Sequence, residues 1–323
     1  QAAAWTDAGL WGVFSATAAP AALWWLPPGG QSLLPPPRLP LGRSAHVESL
    51  PGPAGPIEAV VYGDWRTAKR VVLALHGGPA EHWQLRFDPK LQALAAGAAV
   101  VAPNQRGSTG YGREHELAIK GAWGGPDLAD ILAIGAHLAK VREESAHLPS
   151  LYGVSYGAFL ALLAMAVEPQ RWSGCAAVAP FLSGAELRAA TKPTVRALID
   201  RLDGTAPVAD EYGPRDLRQV AAQIRGRVLL MHGDQDERIP VTHSRHLAAV
   251  LSQVPGVQLT YREVTGRGHD PVLPNPESPE LAELVRFLCT DPLPNQPAYS
   301  DIGADRLVGS EVKEGDGQYG FGV

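Results

Sequence analysis

Gly153-Val154-Ser155-Tyr156-Gly157 is the stretch on which the reading of this chain turns. An apolar run at 148–153 precedes it. Ala158-Phe159-Leu160-Ala161-Leu162-Leu163-Ala164 follows, inside a strong helix pattern over 156–168. Alone, a G-x-S-x-G string is an ordinary turn in a chain with 35 glycines among 323 residues. A strand before it and a helix after it change its meaning. A sharp strand-to-helix turn holds the serine in a strained conformation, and small flanking residues avoid clashes. The helix N-terminus then lies beside the hydroxyl, where its dipole favours developing negative charge. Ser155 is therefore the candidate nucleophile.

Outward from this turn the chain alternates. Apolar β-type runs fall at 57–63, 70–76, 98–102, 148–153, 174–179, 227–232 and 258–264. Helical patterns fall at 127–141, 156–168, 217–224, 241–254 and 279–288. Continuous apolar strands between helices predict an α/β-hydrolase fold, with a mostly parallel central sheet and helices on both faces. Residues 183–212 interrupt the alternation and read as a helical insertion above the sheet, where such folds shape a pocket. Residues 1–56 differ: short strands near 11–16 and 22–26 are followed by proline-rich joints at Pro27-Pro28, Pro35-Pro36-Pro37 and Pro51 to Pro56. They read as an N-terminal β segment and linker. Residues 57–290 form the catalytic domain, and 291–323, proline-punctuated and then glycine-rich and acidic, an extended tail.

Apolar residues make up 45% and charged residues 19%, which suits a large core. A net charge of −5 gives no basic surplus for nucleic acid or an anionic membrane surface. No apolar stretch reaches the length of a spanning helix, and 10–26 is broken by Pro20 and lacks the basic lead of a signal peptide. Cys175 and Cys289 sit in apolar runs and read as buried free thiols, which favours a reducing, cytoplasmic setting. No clustered metal-ligand spacing points to zinc, and no cofactor is implied.

A serine hydroxyl needs an adjacent base, and in this fold the chain order is Ser, Asp or Glu, then His. Four histidines follow Ser155. His243 and His246 fall on an amphipathic helix and read as surface residues. His232 closes a strand and reads as structural. His269, in Gly266-Arg267-Gly268-His269-Asp270, occupies a loop after the last strand and is the expected base; Asp270 beside it reads as a solvated loop residue. The acid should lie in Gly233-Asp234-Gln235-Asp236-Glu237-Arg238-Ile239-Pro240, where Asp234, Asp236 and Glu237 compete. Spacing to the next helix favours Asp236, with Asp234 making local turn hydrogen bonds. The acid fixes the imidazole tautomer and stabilises the imidazolium. For the oxyanion hole, one donor is the backbone N–H of Tyr156. The other is expected from His76-Gly77-Gly78-Pro79, at Gly78 or a neighbour, where glycine allows close approach.

Taken in order, six motifs resemble the catalytic domain of the prolyl oligopeptidase family, in particular its acylaminoacyl-peptidase-like branch. They are His76-Gly77-Gly78-Pro79, Asn104-Gln105-Arg106-Gly107-Ser108-Thr109-Gly110-Tyr111-Gly112, Gly121-Ala122-Trp123-Gly124 with Asp127 and Asp130, the Ser155 turn, the Asp236 loop, and Gly268-His269. The likeness spans about 57–290. In that family the acid stands four residues before the loop's proline, a place Asp236 holds relative to Pro240. The resemblance further implies substrate contacts from Arg106, for which a salt-bridged structural arginine is the alternative, and from Tyr111. It implies a peptidase or amidase acting on short peptides or acyl-amino-acid bonds; an esterase, thioesterase or acyltransferase with the same triad is the alternative. Two departures stand out. Ala158 replaces a second glycine after the turn. Only residues 1–50 could stand for the family's N-terminal β-propeller, with Trp24 and Trp25 resembling a propeller edge. The expected partners are thus a small peptide or acyl-amino-acid substrate and either a second copy of the chain or a separate propeller chain.

Overall fold

The computed structural model describes residues 3–29, 42–142 and 146–290. The N-terminal strands are β1 (Ala3–Thr6), β2 (Gly9–Ala16) and β3 (Ala19–Leu26). A second sheet holds β4 (Ala45–Gly52), β5 (Gly55–Tyr62), β6 (Val71–Leu75), β7 (Ala99–Pro103), β8 (Ser150–Val154), β9 (Gly174–Val178), β10 (Gly226–Gly233) and β11 (Val257–Val264). The helices are α1 (Pro89–Ala95), α2 (Arg113–Leu117), α3 (Pro126–Val141), α4 (Tyr156–Val167), α5 (Gly184–Ala190), α6 (Pro193–Arg201), α7 (Leu217–Val220), α8 (Thr242–Leu251) and α9 (Pro279–Cys289).

The eight strands run in the order β4-β5-β7-β6-β8-β9-β10-β11. Only the pairs β4–β5 and β5–β7 are antiparallel; the rest of the sheet is parallel. Its inner strands are apolar on both faces because both are covered. On β6, Val71, Leu73 and Leu75 enter one core while Val72 and Ala74 enter the other. The first core includes α4, apolar all round and buried from Tyr156 to Ala166. A helix of that kind belongs inside a protein, and each large side chain it buries contributes about 1.5–3 kcal/mol. The second core joins Leu91 and Leu94 of α1 to Leu281, Leu284 and Leu288 of α9.

The seven strands read from the sequence are all present, with ends shifted by a residue or two. The boundary at 56/57 needs correcting. Residues 45–52, assigned from sequence to the N-terminal segment, form β4 and pair with β5 in a register that sets Leu50 opposite Ile57. As an edge strand β4 buries only Leu50 fully and tolerates Pro51 at its end, so it lacks the continuous apolar signature of its neighbours. The expected insertion at 183–212 is helical and contributes α5 and α6. Strand pairing makes β1-β2-β3 a separate antiparallel sheet, with the rings of Trp11 and Trp25 stacked 5.7 Å apart. Two hydrogen bonds tie its β2–β3 turn to the catalytic domain: Gly42 N–H donates to Ala18 O at 2.9 Å, and Gln92 Nε2 of α1 donates to Thr17 O at 2.5 Å. The joint at 35–37, the side chain of Trp24 and the tail at 291–323 lie outside the described residues.

Candidate active site

Ser155 links β8 to α4 with φ 57° and ψ −121°, a conformation that costs an L-residue energy and persists only where its surroundings impose it. The surroundings are specific. Ser155 N–H donates to Val178 O at 2.8 Å. A Cβ added to Gly153 would lie 2.2 Å from Gly157 O; one on Gly157 would lie 2.3 Å from Leu75 O and 2.5 Å from His76 O. Both glycines are therefore demanded by close backbone approach.

Two loops at the carboxyl ends of β10 and β11 supply a carboxylate and an imidazole. His269 Nδ1 lies 2.7 Å from Asp236 Oδ2. Asp236 Oδ1 accepts the N–H groups of Arg238 and Ile239 at 2.8 and 3.0 Å. Burial opposes ionisation of Asp236. Hydrogen bonds from His232, His269 and the backbone overcome it and hold the carboxyl well below the usual carboxylate range. A fixed carboxylate at Nδ1 keeps the proton there and leaves the Nε2 lone pair free. Ser155 and His269 line one cavity of about 790 Å³. Their side chains are not hydrogen-bonded to each other in this structure; such contacts are often loose in free sites and tighten on substrate.

The competing acids are engaged elsewhere. Asp234 Oδ1 accepts Gly266 N–H at 2.7 Å, bracing the loop that carries His269. Glu237 is exposed and pairs with Lys192 at 2.7 Å. Asp270, read as solvated, is half-exposed and ion-paired with Lys90 of α1. Two histidine readings also change. His243 is buried rather than superficial; its Nδ1 accepts Leu182 N–H at 3.3 Å, and burial pushes its pKa down to about 4. His232 is fully buried and reaches Asp236 itself, Nε2 lying 3.1 Å from Oδ2. The available signal was position: a histidine ending an apolar strand four residues before the acid.

Gly77, Gly78, Ser155 and Tyr156 share the cavity wall. Among the described residues neither the Tyr156 nor the Gly78 N–H is taken up by another backbone group. Gly78 has φ 115°, open to glycine alone at little cost. The loop is braced by buried His76, whose Nδ1 lies 2.7 Å from Gly77 O and Nε2 2.8 Å from Ser108 Oγ. Burial pushes this imidazole down to about 4, so it stays neutral.

Behind Tyr156 lies a carboxyl not assigned a role from sequence. Tyr156 OH donates to Asp127 Oδ2 at 2.5 Å, and Leu128 N–H to Oδ1 at 2.9 Å. Complete burial pushes Asp127 up to about 7 despite both donors. The unfolded chain ionises this group near pH 4 and the folded chain near 7, so between them the folded state holds the extra proton. Stability then falls as pH rises through that window. Asp127→Asn should gain on the parent by a few kcal/mol between about pH 4 and pH 8. Denaturant melts at several pH values check this; a difference independent of pH would contradict it.

Arg106 and Tyr111, named from the resemblance, do not line the cavity. Arg106 is committed to Asp130: its own N–H donates to Oδ2 at 2.8 Å and Nη2 to Oδ1 at 2.6 Å, with Pro126 O accepting a further bond at 2.8 Å. The Asp130 carboxylate is 1% exposed and needs that counter-charge. Tyr111 OH accepts from Asn104 Nδ2 at 2.7 Å, and its ring packs on His115.

The far end of the cavity is apolar. Phe181 and Leu187 meet Val195, Leu198 and Ile199 of the α6 insertion there, while Glu81, Arg86, Asp88 and Arg238 belong to its polar lining.

A sheet in this strand order, with a strained serine where a parallel strand turns into a buried helix, is that of an α/β-hydrolase. Within that class the lineage is narrower. The model of the prolyl oligopeptidase family matches residues 85–291, and the chain belongs to that family. It is 27% identical over 239 residues to the acylamino-acid-releasing enzyme of Sus scrofa, covering 70% of this chain and 32% of that protein. It is 26% identical over 204 residues to the uncharacterized peptidase YuxL of Bacillus subtilis (strain 168), covering 58% and 29%. The chain thus spans about a third of the length of these relatives. An acylaminoacyl peptidase solved in complex with Z-Gly-Gly-Phe-chloromethyl ketone superposes with a TM-score of 0.73 at 18% identity, over 90% of this chain and 50% of that one. A puromycin-hydrolyzing peptidase of Mycobacterium tuberculosis does so with a TM-score of 0.66 at 22% identity, over 87% and 45%. At these identities the two structures speak to the fold. No helix among the described residues is long and apolar enough to cross a membrane.

Proposed function

We propose that the chain is a serine peptidase or amidase cleaving short peptides or acyl-amino-acid bonds through an acyl-enzyme, with Ser155 as nucleophile, His269 as base and Asp236 as its orienting acid. The observation that carries this reading is the 2.7 Å His269–Asp236 hydrogen bond at a cavity that the strained Ser155 also lines. Ser155 Oγ attacks the carbonyl carbon as its proton passes to His269 Nε2. The N–H groups of Tyr156 and Gly78 take the resulting oxyanion. His269 returns the proton to the departing amine, and water then repeats the sequence to free the acid. The apolar end at Phe181 and Leu198 suits a large apolar side chain or acyl group on the carbonyl side.

Family membership favours the peptidase over an esterase, thioesterase or acyltransferase, which the same residues would equally serve. Assay of p-nitrophenyl esters against acyl-aminoacyl and peptidyl anilides separates them. Turnover of anilides bearing a large apolar residue before the scissile bond is expected; efficient turnover of esters alone would favour the alternative. We further infer a cytoplasmic setting, supported by the free thiols of buried Cys175 and of Cys289. A second copy, or a separate N-terminal chain, is the macromolecular partner inferred; the relatives' greater length supports this.

A further inference from the structure

Asp236 serves two imidazoles. His232 Nε2 lies 3.1 Å from the same Oδ2 that His269 Nδ1 approaches at 2.7 Å, and 2.9 Å from Ile239 O. Two acceptors converge on Nε2, so Nε2 carries the proton. Nδ1 then takes the Ser244 hydroxyl, 2.7 Å away, as its donor. The tautomer of His232 is thereby selected from both ends, by α8 on one side and the acid's loop on the other. With Oδ1 held by two backbone N–H groups, His232 completes a set of donors that pins both carboxylate oxygens.

We propose that His232 is a positioning residue for the reaction, aiming Asp236 at His269 and tempering the charge that Oδ2 presents to it. It touches neither substrate nor the reacting atoms, and it acts through Asp236; the proposal rests on the triad of Ser155, His269 and Asp236. A neutral donor on Oδ2 shares the carboxylate's charge. Without it, Oδ2 would bind His269 Nδ1–H more tightly and favour the imidazolium. The base would then be protonated at higher pH. The carboxylate would also lose one of the contacts fixing its plane, so His269 would be aimed less well.

Other charged groups surround this cluster. His243 lies on α8 with Ser244, and Glu263 of β11 sits opposite His232 in the sheet register, paired with Arg245 of α8. Asp234 stands in the same loop as Asp236. Asp270 follows His269 and is paired with Lys90. None of these is altered by substitution at 232, so a shift in the pH profile of a 232 variant reports on the donor itself.

Two polar substitutions test the idea. A glutamine amide nitrogen can reach the place of Nε2; an asparagine amide reaches only the place of Nδ1. His232→Gln should keep kcat/KM within a few-fold and leave the acid limb of its pH profile where it is. His232→Asn should lower kcat/KM roughly 10- to 100-fold, chiefly through kcat, as expected for a lost hydrogen bond to a charged group. It should also raise the acid limb by about half a pH unit or more. Thermal melts establish that each variant is folded; should the asparagine variant fail to fold, Ser244→Ala, which frees only Nδ1, should move the limb the same way by less. A folded asparagine variant with parental rate and profile would overturn the proposal. So would equal losses in the glutamine and asparagine variants with no movement of the limb, which a bulk packing role would give. Parental activity surviving Ser155→Ala would instead overturn the triad itself, leaving the two failures distinguishable.

Discussion

Ser155→Ala should fold like the parent and lose turnover by on the order of 10⁶-fold, the scale of triad knockouts elsewhere. The stability half of this expectation follows from the turn. The strain at φ 57° is a property of any residue with a Cβ, so alanine inherits it unchanged. The serine side chain has no hydrogen-bond partner to lose among the described residues. The catalytic half follows from chemistry: with Oγ gone no acyl-enzyme can form, and only the oxyanion donors and substrate binding remain. Turnover of a peptidyl anilide, thermal melts and labelling by a fluorophosphonate probe measure the three consequences. A parent that the probe leaves unlabelled, or an alanine variant that keeps its rate, would remove Ser155 from the mechanism.

Asp236→Asn should cost about 10⁴-fold in kcat, with little change at Asp234→Asn. Oδ1 of Asp236 accepts two backbone N–H groups, so an asparagine at 236 would keep its carbonyl oxygen there. Its NH₂ would then replace Oδ2 and face His269 Nδ1 and His232 Nε2. A donor meeting a donor forces His269 to turn its Nδ1 lone pair inward and place its proton on Nε2, towards Ser155, where a base is needed. The geometry survives and the tautomer is wrong. At Asp234, by contrast, the single acceptor contact to Gly266 N–H can be kept by an asparagine oxygen. Steady-state kinetics on both variants decide between them; a severe loss at 234 with a mild one at 236 would move the acid.

The sheet was legible because its inner strands are buried on both faces and so spell out continuous apolar runs, as at Val71–Leu75. β4 was not, because an edge strand with one fully buried side chain looks like the proline-rich linker beside it. α1 carried a readable start in Asp88-Pro89, a capping carboxylate before a proline at the first helical position, but at seven residues it is too short for a periodic pattern. The Ser155 turn was legible because its glycines are dictated by backbone contact rather than by side-chain choice. What sequence could not reveal was how residues distant in the chain share partners. Arg106 lies in a motif that invites a functional reading, yet its partner is a buried carboxylate 24 residues on. His232 ends a strand like any buried residue, and only folding shows which oxygen it meets.

The absence of a side chain at Gly157 lets α4 begin against the carbonyls of Leu75 and His76, the last residues before the loop that holds Gly78. The two proposed oxyanion donors therefore do not come from independently placed parts. One is mounted on the helix, the other on the loop, and the two mounts bear directly on each other. A methyl group at 157 would have to push them apart, widening the gap between donors even though neither donor had been touched. Tuning of this pocket for a different acyl group is thus confined to the far wall, where α5 and α6 can shift without disturbing that spacing.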